Sequence, residues 1–349
     1  MFLLSVLLTG CGTDRFEPNG WGGITIDNNK LFIGSGDGQL IILDPKNGAL
    51  LQSYPQNKEN LHAIYSAPLI SNNGKTIFYG TYSKKDGGTI YSLQSDTLTP
   101  NWTKAIPGSI VAQPIMADNL LLVSSSDGKL YAMEPETGNQ KWVFESDGKL
   151  WSSAAWSEGN SVFIGSLNKK FYAINKNNGT KLWEFESEGA IVGTPLINGS
   201  TVYFGALNKK IYALDSKTGI EKWSRLGDHW YWAPLTQDKN ALYAGSMGGM
   251  VSALNLDTGI ALWEQKIDGA ILAPLLLLDS LIAIASDNGQ VTVLRKDSGN
   301  QTWNFPAGKS MRAKMANQEN KIYLITTEGE IKSLDANRGT SLWSLQRDN

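Results

Sequence analysis

Very little in this chain's composition is suited to chemistry. Its 349 residues hold one cysteine and two histidines, so an internal disulfide is excluded and a histidine-based metal cluster has little to draw on. Charge is nearly balanced, 31 Lys and Arg against 33 Asp and Glu. The net −2 that results gives no overall pull toward nucleic acid or anionic lipid. There is no Gly-rich phosphate loop after a strand and no nucleophile elbow.

What the chain does have is tryptophan at a fixed interval. Trp102, Trp142, Trp183, Trp223, Trp263, Trp303 and Trp343 are spaced by 40, 41, 40, 40, 40 and 40 residues, each four places after Gly or a stand-in for it. A period of this length means one supersecondary unit copied many times, since a single copy cannot bury its own apolar face. The copy around Trp223 divides into Gly193 to Ile197, Thr201 to Gly205, Lys210 to Asp215 and Glu221 to Ser224. These short β-branched and aromatic runs are separated by Asn-, Asp- and Gly-rich turns, and nothing in the repeat has a helical period. Eight copies can be counted. The first, Leu31 through Gly48, has Gln52 where the others have Trp. The fold class is therefore all-β, an eight-bladed β-propeller of four-stranded antiparallel blades, whose ring hides its strand edges by closing on itself. Closure is expected between intact blades, unless residues 14–20 add a strand.

The phrases Tyr131 to Trp142 (Tyr-Ala-Met-Glu-Pro-Glu-Thr-Gly-Asn-Gln-Lys-Trp) and Tyr212 to Trp223 (Tyr-Ala-Leu-Asp-Ser-Lys-Thr-Gly-Ile-Glu-Lys-Trp) resemble the repeat of the PQQ-like, or quinoprotein, β-propellers. The resemblance spans residues 21–349. It implies that the seven repeat tryptophans dock between neighbouring blades. Removing a buried Trp costs about 3–5 kcal/mol, and its N–H can reach a carbonyl on the next blade.

Ahead of the repeat, Met1 to Gly10 is apolar but much shorter than the about 20 residues of a spanning helix. It reads as an export signal over residues 1–10. Leu8-Thr-Gly-Cys11 resembles a bacterial lipobox, with Cys11 as the acylated residue, residues 11–20 as a tether and 21–349 as the propeller. Acyl chains contribute about 0.8 kcal/mol per buried CH₂, enough in twos and threes to hold a protein on a bilayer.

Blade geometry sorts the remaining candidates by face. The turn between the second and third strands lies at the same end as the approach to the next inner strand. At that end, called the top, the turns of blades two to five carry Lys84, Lys85, Lys129, Lys169, Lys170, Lys209 and Lys210. The inner strands begin there too, where the repeat is least regular: Tyr65, Trp151, His229, Trp230, Tyr231, Trp232 and Arg312. Most of a ten-residue excess between Gln52 and Trp102 also extends this end. Binding residues gather on loops displayed by a rigid scaffold, so this is the candidate partner or ligand face. The plain alternative is that the aromatics plug the channel and the lysines are simply solvated.

Chemistry has weak support. His62, His229 and Asp228 could sit near one another, but no third ligand has suitable spacing. Asp44, Glu134, Asp215 and Asp335, with Asn175 and Asn255 in the same slot, are turn formers. No catalytic residue and no metal site is assigned. PQQ-dependent dehydrogenases that share the repeat carry a calcium site of Glu, Asn and Asp, a vicinal cysteine pair and sometimes a haem motif, none of which is recognisable here. Only that enzyme reading would bring PQQ with calcium; otherwise no cofactor is expected. With short loops and a lipobox, the chain resembles the BamB family, lipoprotein scaffolds of outer-membrane β-barrel assembly. The resemblance implies a non-catalytic monomer with protein partners at the membrane, anchored through Cys11. It would sit on the outer membrane facing the periplasm, or on the cell surface of a one-membrane organism. A surface lipoprotein binding a sugar or peptide remains a third reading.

Overall fold

The computed structural model describes residues 22–56, 61–71, 73–83 and 85–347. Met1 to Gly20, with Cys11, the tether and the strand considered at residues 14–20, lie outside the described residues, as does Lys84.

Blade 1 is built from β1 (Ile24–Asp27), β2 (Lys30–Gly34), β3 (Leu40–Leu43) and β4 (Leu50–Tyr54), paired in that order. Seven further four-stranded sheets repeat this order, ending with Ser341–Leu345 in blade 8. All the described pairings are antiparallel meanders, and the described residues contain no helix. Second and third strands are buried on both faces, as in Val202 to Gly205 and Ile211 to Leu214, because each sheet is sandwiched between two others. Outer strands alternate, as in Glu221–Leu226, since only one face meets a neighbour. Inner strands are shorter than the sequence suggests. That of blade 5 is Leu196–Asn198 rather than beginning at Gly193. Pro195 has no N–H to donate, residues 193–195 stay outside the strand, and Thr194 lines the central axis.

Turns follow from side-chain chemistry. Asp215 Oδ1 accepts from the N–H of Lys217 (3.1 Å) and Thr218 (3.0 Å), and Gly219 follows at φ 73°. Asn175, Asn255, Asp44 and Asp335 cap their turns in the same way.

The repeat tryptophans join blade to blade. Trp223 Nε1 donates to Leu256 O at 3.0 Å, and the other six donate to the equivalent turn of the next blade at 2.7–3.3 Å. The last, Trp343 to Pro45, closes the ring. In blade 1 Gln52 fills the Trp position and its Nε2 reaches Asp96 O at 2.9 Å. Among the described residues closure uses no exchanged strand: Ile24 N–H donates to Lys314 O (3.1 Å), and Arg347 Nη2 reaches Gln39 Oε1 (2.8 Å).

Candidate functional site

At one end of the disc, backbone bonds tie the lysine-bearing turns to the approaches of the inner strands. Ser187 N–H donates to Lys169 O (2.8 Å) and Leu167 N–H to Lys149 O (3.0 Å). Lys169 and Lys209 occupy the left-handed region, φ 72° and 70°, and are exposed there, as is Lys85. Their neighbours are not free charges. Lys170 pairs with Asp147 (3.0 Å), Lys210 with Glu188 (2.9 Å) and Lys129 with Glu145 (2.7 Å). These carboxylates hold the three ammonium groups above the ordinary lysine value, through the hydrogen bond first in each case. The basic sector is thus interleaved with acid, which the spacing of lysines alone does not reveal.

The aromatic candidates separate into three places. Trp230 is 44% exposed on the rim, following the exposed Leu226, and it touches His229. Tyr231 is a core residue, packed against Gly205, with its hydroxyl pKa pushed up to about 12 by burial; its expected place on the binding face is corrected. Gly205 has no side chain, and the Tyr231 ring takes the space one would fill. Tyr65, Trp151, Trp232 and Arg312 line a central funnel of about 350 Å³. Arg312 Nε donates to Asp287 Oδ1 at 3.0 Å.

The funnel has two tiers set by the repeat. Val192, Trp232, Leu272 and Arg312 stand forty residues apart, and Trp151 and Tyr65 continue that tier. Two residues deeper along the inner strands come Thr194, Pro234, Pro274 and Lys314, continued by Ser153 and Gln113. Lys314 was missed in the sequence, although one signal existed: it is the single charge in a phase otherwise filled by small, Pro or amide residues. None of the described residues lining the funnel is acidic.

The histidines do not form a site together. They belong to the tops of blades 2 and 6, with His62 Nε2 at 3.6 Å from Asp86 and Asp228 beside Lys266 at 3.4 Å. Among the described residues no three His, Cys, Asp or Glu side chains gather as a metal site. No described helix is long and apolar enough to cross a membrane.

A sequence profile described as outer membrane protein assembly factor BamB matches residues 66–155, 147–271 and 247–349. The outer membrane protein assembly factor BamB of Nitrosomonas eutropha is 25% identical over 120 residues, 34% of this chain and 27% of that protein. An uncharacterised protein of Rickettsia prowazekii is 32% identical over 129 residues, 36% of this chain and 29% of its own length. The matches therefore span less than a third of those curated relatives. BamB from Moraxella catarrhalis superposes with a TM-score of 0.76 at 18% identity, covering 89% of this chain and 95% of that one. The computationally designed Ika8 protein gives 0.79 at 17%, covering 91% and 96%. At these identities the two structures speak for the fold alone.

Proposed function

The chain belongs to the BamB family of PQQ-like β-propellers, and from that premise we propose that it is a non-catalytic scaffold for protein partners in outer-membrane protein assembly. In this reading it is a monomer, lipid-anchored through Cys11, facing the periplasm from the outer membrane. The observation that carries the proposal is the family match along residues 66–349, on a ring whose irregular loops gather at one end. That end offers an exposed Trp230 and Leu226 with interleaved charges around them. Aromatic anchors carry most interface energy, whereas rim charges chiefly govern encounter and salt dependence.

The funnel does not suit a calcium-bound quinone. Calcium takes six to eight oxygen ligands, commonly carboxylates, and the described funnel lining supplies no carboxylate. The proposal accordingly includes no cofactor.

The test is photocrosslinking on the full, membrane-anchored chain, with the reactive residue placed at Lys169, Trp230 or Lys217. Adducts with an outer-membrane assembly component from the first two sites, and not from Lys217 on the opposite face, are expected. Stronger adducts from Lys217 would put the partner on the other face, and none from any site would refute the scaffold. Cys11→Ser should release the protein from membranes with its melting unchanged; retention would refute the anchor.

A further inference from the structure

Lysines enclosed at the blade seams of this fold are paired. Lys176 meets Asp118, and Lys296 meets Asp238 at 3.1 Å. Lys314 is different. It stands in the funnel below the aromatic tier, among lining residues of several blades, and its side chain is exposed to the open channel. The protein around it shifts its ammonium below the ordinary lysine value by partial desolvation, with no opposing contribution from any carboxylate. Asp287, which lies behind the lining residue Arg312, is engaged by Arg312 and Ser310. The other blades place Gly, Ala, Gln, Ser, Thr or Pro at the same phase, so the lysine is a single departure from the repeat at a position facing the channel.

We propose that the central funnel is a binding site for a small organic carboxylate, received by Lys314 and flanked by Trp151 and Trp232. Among the described lining residues Arg312 is paired with Asp287 and Lys314 is the remaining cation, so one carboxylate balances it. A charge-assisted hydrogen bond to an ammonium is about twice as strong as a neutral one. The tier above, with Trp151, Trp232, Leu272 and Val192, suits an apolar body rather than a bare inorganic anion. A volume of about 350 Å³ accommodates a compact molecule. Lys314 supplies the positive charge that receives the carboxylate, so the proposed recognition involves no metal. The site is independent of partner capture on the rim.

The experiment is titration calorimetry of the full chain with 3-phenylpropionate, its methyl ester and inorganic phosphate, each with and without EDTA. The acid should bind, unaffected by EDTA, and the ester and phosphate should bind at least tenfold more weakly. Lys314→Met should lose about tenfold or more in affinity, Lys314→Arg should retain most of it, and Lys217→Met should match the unmodified protein. The tripeptide Gly-Gly-Leu, with free and amidated C-terminus, separates two sources of the carboxylate. Tighter Lys314-dependent binding of the free-ended peptide than of 3-phenylpropionate assigns the site to a chain end, and the reverse to a free acid. Equal affinity of Lys314→Met and the unmodified protein, equal binding of acid and ester, or no binding at millimolar concentration would each overturn the proposal.

Discussion

The first blade seam predicts an energetic coupling that can be measured. At the seven tryptophan seams, an ideal Cβ on the facing glycine would fall 2.5–2.8 Å from the indole, as Gly219 does at 2.6 Å from Trp183. The indole and the missing side chain therefore share one volume. At the first seam both partners differ: Gln52 replaces Trp, and the position four before Trp102 is Leu98, at φ 56° and 5% exposed. Across the strand pair, Ile42 faces Gln52 where the other seams have Ala, Ser or Val. Gln52 Oε1 is buried without a protein partner, so this seam contributes less than the others. Gln52→Trp alone overfills the site and should cost about 1–3 kcal/mol. Leu98→Gly alone leaves a cavity costing about 2–5 kcal/mol, offset by about 1 kcal/mol as the left-handed strain is relieved. Combined, the indole occupies the vacated volume and gains a carbonyl for its N–H, so the double variant should lose about 1–3 kcal/mol less than the sum of the singles. Urea unfolding of the four proteins, with the slope checked for constancy, reads this directly. Additive single effects would show that Leu98 does not occupy the tryptophan's place.

Trp183→Ala and Trp223→Ala should each cost about 3–5 kcal/mol by the same urea assay, while Lys217→Ala leaves the midpoint unchanged; equal effects would mean the indoles are not docked. Partial desolvation lowers the proton affinity of Lys314 in the fold, so a small destabilising effect, reduced by the exposure of the side chain, is full below the folded pKa and fades as pH rises through that value toward the unfolded one. Lys314→Met should therefore raise Tm at neutral pH and converge with the unmodified protein at alkaline pH, and a widening gap would contradict the assignment. On the rim, Trp230→Ala should weaken partner capture strongly, and Lys169→Glu with Lys209→Glu should slow association in a salt-dependent way. Surface plasmon resonance at two ionic strengths distinguishes these effects, and greater damage from Lys46→Glu with Lys217→Glu would move the working face to the other end.

The division between sequence and structure is clear at particular residues. Seven tryptophans at one interval dictate the ring, because a repeat that cannot bury its own face must stack on its neighbours. The Asp and Asn turns were equally legible, since a side chain that caps its own turn acts within a few residues. Gln52 was visible as a missing Trp. Its compensation by Leu98 and Ile42 was not, because the three residues meet only when two blades and two strands come together.

The candidate face was half legible. Phase along the repeat places lysines and aromatics at the top, but phase alone cannot say which way a side chain turns. Tertiary packing sent Tyr231 into the core against Gly205, left Trp230 on the rim and turned Trp232 into the funnel. It also set acids beside Lys170 and Lys210. The repeat by itself determined the architecture, because identical units have one way to close. Only the closed ring decided the charge environment, because Lys314 is isolated by what seven other blades do not place beside it.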